Sequence, residues 1–306
     1  MQALTVSSPA ASGTLAPQAV PSWLDTGSYP FAHRYLELPQ GRMHYVDEGR
    51  GPTVLFIHGT PTWSFEWRHL IRALSATHRC IAPDLLGFGL SERPEHFDYS
   101  PEAHARALAA FVDRLGLEDF TLVVHDYGGP IALPLALEHP ERVRRLVILN
   151  SWMWSFEQEP DMVRRARLVS GALGRFLYRH LNFSLRVLMP SAYGDRRKLT
   201  PSIHRQYLAP FQDKRARGQV LWALARALTG SSAFYASQWE RRRQLQGKPA
   251  LILWGMRDTA FQPPMLERWK QALPEARVVK LADAGHWPHE EAPEAVLQEL
   301  RAFLQA

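Results

Sequence analysis

The run Thr121-Leu-Val-Val-His-Asp126-Tyr-Gly-Gly-Pro130 constrains the fold of this chain more than any other stretch. Thr121 to Val124 are β-branched or apolar, the pattern of a strand buried in a parallel sheet. Gly128 and Gly129 permit a sharp turn, and Ile131 to Glu138 continue as a helix. A strand that turns at an aspartate straight into a helix presents that carboxylate at the sheet edge where sites form. Asp126 is therefore a candidate nucleophile, since a carboxylate that attacks carbon becomes an ester. Taken alone, the same letters describe a Gly-rich turn capped by Asp, so the rest of the chain decides.

Around this turn the chain alternates strands and helices. Arg34–Pro39 and Arg42–Val46 pair across Gln40-Gly41, and Val54–Ile57 is a short strand ending in His58-Gly59-Thr60-Pro61. Trp67, Leu70, Ile71 and Leu74 are spaced for a helix, and Cys80–Ala82 is a strand running into Pro83 to Ser91. Leu108, Phe111, Val112 and Leu115 mark a helix closed by Gly116. Leu146–Leu149 is the next strand. After a long helical stretch come strand Ala250–Trp254, helix Met265–Leu273, strand Arg277–Leu281 and helix Val296–Leu304. The fold class is α/β, a mostly parallel central sheet flanked by helices. Ser151 to Gln246 breaks the rhythm and is too long for a loop, so it reads as a helical cap over the strand edge. The organisation expected is a disordered tail over 1–21, a core domain over 22–151 and 247–306, and a helical cap over 152–246.

Composition excludes several classes. A chain of 306 residues, 46% hydrophobic and 22% charged, is an ordinary globular protein. Its net charge of +6 comes from arginines without the aromatic interleaving of a nucleic-acid surface, so no nucleic-acid partner is expected. Residues 1–20 carry no Lys or Arg and make a poor signal peptide, and no run approaches the ~18–20 apolar residues of a membrane span. A cytoplasmic protein without a membrane partner, monomer or homodimer, is expected. The single cysteine, Cys80, reads as a buried small hydrophobe.

Two further segments supply what an aspartate nucleophile requires. Gly255-Met-Arg-Asp258 follows a strand and offers a second carboxylate, and Ala284-Gly-His286 follows the last strand. Each alone is weak, because a post-strand Asp is usually a cap and a lone His usually structural. The order nucleophile, acid, histidine, each directly after a strand, is that of a catalytic triad. The backbone N–H groups of Thr60 and Tyr127 converge beside Asp126 as an oxyanion hole, where one donor is worth ~3–4 kcal/mol. His58 is read as holding the turn.

The motifs His58-Gly-Thr-Pro-Thr-Trp-Ser64, Asp84-Leu-Leu-Gly-Phe-Gly-Leu-Ser91, His125-Asp-Tyr-Gly-Gly129, Gly255-Met-Arg-Asp258 and Gly285-His286 resemble those of haloalkane dehalogenases, a branch of the α/β-hydrolases, over roughly residues 22–304. The resemblance implies displacement of halide from a saturated carbon by Asp126. His286, oriented by Asp258, would then hydrolyse the alkyl ester with water, and no metal or organic cofactor takes part. It also implies a small hydrophobic substrate in a slot lined by Trp63, Phe65, Phe88 and cap aromatics.

The chain departs from the family where the halide leaves. The family places Trp after the nucleophile and a second donor at an Asn in the His-Gly-x-Pro turn or a Trp in the cap. Here those first two positions hold Tyr127 and Thr60. Candidates for leaving-group or substrate contacts are Tyr127, Trp152, Trp154, Tyr178, Tyr235 and Trp63. Each of them is also a plausible packing residue. An epoxide hydrolase shares this plan but needs a pair of cap phenols, for which Tyr178, Tyr193, Tyr207 and Tyr235 are available. The third alternative is a non-catalytic ligand-binding homologue. A serine esterase is disfavoured because no G-x-S-x-G stands at the elbow.

Overall fold

The computed structural model describes residues 20–305. Of the segment read as a tail, residues 1–19 lie outside the described residues. The core is one eight-stranded sheet in the order β1-β2-β4-β3-β5-β6-β7-β8. Its strands are β1 (Arg34–Leu38), β2 (Gly41–Glu48), β3 (Thr53–Ile57), β4 (Arg79–Pro83), β5 (Phe120–Asp126), β6 (Val143–Ser151), β7 (Ala250–Gly255) and β8 (Arg277–Leu281). β1 and β2 run antiparallel at one edge, and the neighbouring pairs from β4 to β8 are parallel.

Burial explains these strands. All seven residues of β5 are buried, as expected of a strand with helices over both faces. β6 begins three residues before the apolar run Leu146–Leu149, because Val143 and Arg145 at its solvent end still pair with β5 across a register shift that skips Arg144. Helix α1 (Arg68–Leu74) follows β3, α2 (Pro101–Arg114) precedes β5, and α3 (Gly128–Glu138) leaves the elbow. α2 starts where Ser100 accepts a hydrogen bond from the Ala103 N–H with Pro101 in the first turn, which satisfies one orphan donor.

The insertion between β6 and β7 is helical throughout. It opens with α4 (Pro160–Ser170) and α5 (Ala172–Leu181), passes a π-helical turn at Ser184–Leu188, and includes helices Pro201–Leu208, Trp222–Gly230 and Ser232–Glu240. Parallel strands place their C-terminal ends on one edge, so β3, β5, β7 and β8 deliver their following loops to the underside of this cap.

Candidate active site

The turn after β5 is strained at its key residue. Asp126 takes φ +48°, a left-handed conformation that Asp tolerates better than most residues. Ser151 Oγ pins it by donating to the Asp126 carbonyl at 2.6 Å. The glycines are required by close approach. A Cβ on Gly128 would lie 2.2 Å from the Ile57 carbonyl oxygen, and one on Gly59 would lie 2.3 Å from Asp126 Oδ1. β3 and β5 are thus drawn together, and the Thr60 N–H donates to Asp126 Oδ1 at 2.8 Å. His58 holds this turn as a tether between segments. Its Nδ1–H donates to the Gly59 carbonyl at 2.7 Å and its Nε2 accepts from the Leu85 N–H at 2.9 Å. The Tyr127 N–H makes no bond to the carboxylate in this state.

His286 stands between two carboxylates. Its Nε2 lies 3.4 Å from Asp126 Oδ2, and its Nδ1 lies 2.7 Å from Asp258 Oδ2. Asp258 is itself oriented by donors. The N–H groups of Ala260 and Phe261 reach Oδ1 at 2.7 and 2.9 Å, and Asn150 Nδ2 reaches Oδ2 at 2.8 Å. Burial disfavours a charged imidazole, but the Asp258 carboxylate and then that of Asp126 outweigh it and push the His286 pKa up to about 10. Both carboxylates thus favour the protonated ring before reaction.

The cavity above Asp126 has a volume of ≈ 550 Å³. Its wall is largely apolar: Met162, Leu168, Leu173, Leu177, Leu188 and Leu221 surround Asp126, Thr60 and His286. The structure sorts the predicted contact residues. Tyr127 and Tyr178 line the cavity. Tyr127 does not offer its phenol to it, because the hydroxyl donates to the Leu224 carbonyl at 2.5 Å.

The remaining aromatic candidates point elsewhere. Trp152 is fully buried with its ring edge-on to Tyr127 at 4.7 Å and stays out of the wall. Trp154 packs between Trp239 and Trp269 on another side of the cap. Tyr235 donates to the Ala227 carbonyl at 3.0 Å, and Trp63 donates to the Gln206 carbonyl at 3.1 Å. Phe65 packs against Tyr207 and Phe88 against Phe211. The expected slot is thus corrected for Trp63, Phe65 and Phe88, none of which lines the cavity, while the cap aromatics Tyr178 and Phe183 do line it among aliphatic side chains. Of the four cap tyrosines, Tyr178 alone reaches the cavity, so the phenol pair of an epoxide hydrolase is not assembled.

Two residues missed by the sequence reading, Asn150 and Trp287, support the site. Asn150 clamps Asp258 and also accepts from the Gly255 N–H at 2.8 Å. Trp287 lines the cavity, and its indole N–H is buried without a partner among the described residues. The hydroxyl of Thr60 is in the same condition. Position after a motif residue was the only signal available for Trp287.

Beneath His286 lies a buried polar layer. His125 Nε2 donates to the His286 carbonyl at 2.8 Å, so that nitrogen carries a proton, and Nδ1 faces Glu66 Oε1 at 3.3 Å. His289 Nε2 faces the other Glu66 oxygen at 3.7 Å. Burial alone would raise the Glu66 pKa, yet the two histidines hold it well below the usual carboxylate range. Its stabilising effect is therefore present above the ordinary carboxylate pKa and fades as pH falls through the depressed value. Glu66→Ala would leave two buried imidazoles facing a void. It is expected to lower unfolding free energy by ~3–5 kcal/mol, measured by urea denaturation at neutral pH. An unchanged midpoint would show that the layer contributes nothing.

The sequence comparisons agree with this geometry. The α/β hydrolase fold family matches residues 52–293. Haloalkane dehalogenase 2 of Mycobacterium tuberculosis is 37% identical over 273 residues, covering 89% of this chain and 94% of that protein. The chain belongs to the α/β-hydrolase fold family, in its haloalkane dehalogenase branch. The same comparison also reaches proteins named for a second activity. A cis-3-alkyl-4-alkyloxetan-2-one decarboxylase of Xanthomonas campestris is 33% identical, covering 90% of this chain and 97% of that protein. Among solved structures, the haloalkane dehalogenase DatA of Agrobacterium tumefaciens superposes with a TM-score of 0.79 at 28% identity, over 90% of this chain and 96% of that one. A haloalkane dehalogenase-like hydrolase with a helical insertion between β6 and β7 is the coarse identity these findings establish.

Proposed function

We propose that this hydrolase cleaves the carbon–halogen bond of lipophilic haloalkanes through an alkyl ester on Asp126. The observation that carries the reading is the arrangement of that carboxylate. Oδ1 is held by the Thr60 N–H, while Oδ2 faces the cavity side and His286. Oδ2 attacks carbon, the carbon–halogen bond breaks, and halide departs with the bonding pair. The ester no longer carries the negative charge that favoured protonated His286, so the ring's pKa falls and it releases its proton. Neutral Nε2 then takes a proton from water, which attacks the Asp126 carbonyl carbon while the Thr60 N–H stabilises the oxyanion. As the intermediate collapses, its hydroxyl proton passes to the departing alkoxide, so alcohol leaves and Asp126 is restored as a carboxylate. His286 keeps the proton from water, and the one proton released in all is that shed after alkylation. The mechanism assigns Asp126, His286 and Asp258 as the triad and uses no metal or organic cofactor.

The departing halide needs donors, and Tyr127 has committed its own. The unpartnered Thr60 hydroxyl and Trp287 indole N–H fill that place in this proposal. Thr60→Val keeps the backbone N–H and the side-chain shape while deleting the hydroxyl. It is expected to slow halide release ~10–100-fold, the loss of one hydrogen bond to a charged group. Stopped-flow measurement with a bromoalkane checks this, and an unchanged rate would remove Thr60 from the role.

One observation favours a second reading. With the Tyr127 phenol turned to Leu224, the site lacks the halide donor that follows the nucleophile elsewhere in the family, and relatives bear the oxetan-2-one decarboxylase name. In that reaction Asp126 would open a four-membered lactone at its alkyl carbon. Loss of carbon dioxide would then expel the aspartate and leave an alkene. Product analysis separates the two: alcohol and halide from bromoalkanes support the first, while alkene and carbon dioxide from a dialkyl oxetanone without halide release from any haloalkane support the second. The intact set of Asp126, His286, Asp258 and Thr60 speaks against a non-catalytic homologue.

A further inference from the structure

The cap's outer face is unlike the rest of the surface. Seven large apolar side chains stand exposed among the described residues, and six of them fall between Leu168 and Leu188: Leu168, Leu173, Phe176, Leu181, Val187 and Leu188. Leu168 and Leu173 are 67% and 66% exposed, values that a folded chain avoids unless something covers them. The same face is basic. Between Asp161 and Leu188 lie six arginines, 164, 165, 167, 175, 179 and 186, against the single acidic Asp161, a balance of +5 in a chain whose total is +6. Of these, Arg164, Arg165, Arg167, Arg175 and Arg186 are exposed. The patch also continues into the cavity, since Leu168, Leu173 and Leu188 line the chamber that holds Asp126 and His286.

We propose that this face, formed by α4, α5 and the π-helical turn, docks peripherally on an anionic lipid bilayer and admits substrate from it. Apolar side chains flanked by arginines match the boundary between acyl chains and anionic headgroups. No helix of the described residues is long and apolar enough to cross a membrane, so the contact is one of insertion by side chains. A second copy of the chain is a poor occupant, because it would bring the same positive face against itself. A protein partner seated there would cover the mouth, whereas a bilayer supplies lipophilic molecules to it. Docking goes beyond the reaction proposed above and does not depend on which bond is cleaved. The sequence expectation of no membrane partner followed from the lack of a spanning segment, which does not bear on peripheral contact.

The test is co-sedimentation of the full chain with vesicles of phosphatidylcholine, with and without phosphatidylglycerol, at low and high salt. Binding is expected only to the anionic vesicles and should fall as salt screens the arginines. Two variants away from the cavity wall test the two components. Phe176→Ser/Leu181→Ser/Val187→Ser and Arg167→Glu/Arg175→Glu/Arg186→Glu should each reduce the bound fraction at least ~10-fold while retaining the wild-type rate with a short, water-soluble substrate. No binding by the wild type at low salt, or binding that both variants retain, would overturn the proposal. So would a wild type that is a dimer in solution, is dissociated by either variant and ignores vesicles, because a second copy would then cover the face.

Discussion

Asp126→Asn is expected to lower steady-state halide release by roughly 10⁴- to 10⁶-fold, as removal of a nucleophile does elsewhere. The amide has no anionic oxygen to attack carbon. The loss should be chemical, not structural, because Asn tolerates the left-handed φ of +48° at this turn as well as Asp does. The amide oxygen can also still accept from the Thr60 N–H. Urea denaturation in parallel with the rate assay makes the distinction. A folded variant that kept about a tenth of wild-type turnover would mean that another group attacks the substrate.

His286→Phe should separate the two chemical steps. Asp126 remains free to be alkylated, so halide should appear as a burst equal to the enzyme present. Ester hydrolysis should slow by ~10²–10⁴-fold for want of a base. The aromatic replacement fits the site, where the ring packs against Phe261, Trp287 and His125 at 5.1, 4.6 and 4.9 Å. The same variant reports on the charge of the site. The His286 pKa is raised from 6.5 to about 10 in the folded protein, chiefly by Asp258 against the opposing cost of burial. Its contribution to stability is therefore fully present below 6.5 and lost as pH rises through about 10. Urea unfolding of wild type and His286→Phe across that window should show the wild-type advantage shrinking with rising pH. A constant difference would mean that the ring is neutral in the resting enzyme.

The parts of this molecule that sequence exposed are those where one residue type in one place is mandatory. Asp126 stands at a turn that only Gly128 allows to pass so near Ile57, Asp258 follows the unbroken apolar strand β7, and His286 follows the shorter, partly charged edge strand β8. Their convergence follows from strand order, since parallel strands put successive loops on one edge. The contact residues were less legible because burial and direction are different properties. The sequence marks Trp63, Phe65, Phe88, Trp154 and Tyr235 as buried aromatics, but which side of the cap each faces is set by helix packing that no local pattern encodes. Tyr127 illustrates the limit: its position beside the nucleophile was evident, while the Leu224 carbonyl that accepts its hydrogen bond lies 97 residues away. Asn150 carries no local pattern that marks it as the clamp it is. The arginines of the cap read only as net charge without aromatic interleaving, and α4 and α5 gather them beside exposed leucines.

The central claim is that water attacks an ester of Asp126, and isotope labelling reads this directly. The wild-type enzyme turns over a bromoalkane many times in ¹⁸O-enriched water, and the peptide containing Asp126 is then weighed by mass spectrometry. Attack at the Asp126 carbonyl carbon predicts heavy oxygen in that carboxylate, with the first-formed alcohol carrying the light oxygen the aspartate gave up. Alcohol labelled from the first turnover with an unlabelled Asp126 would contradict it, because water would then have attacked the substrate carbon directly.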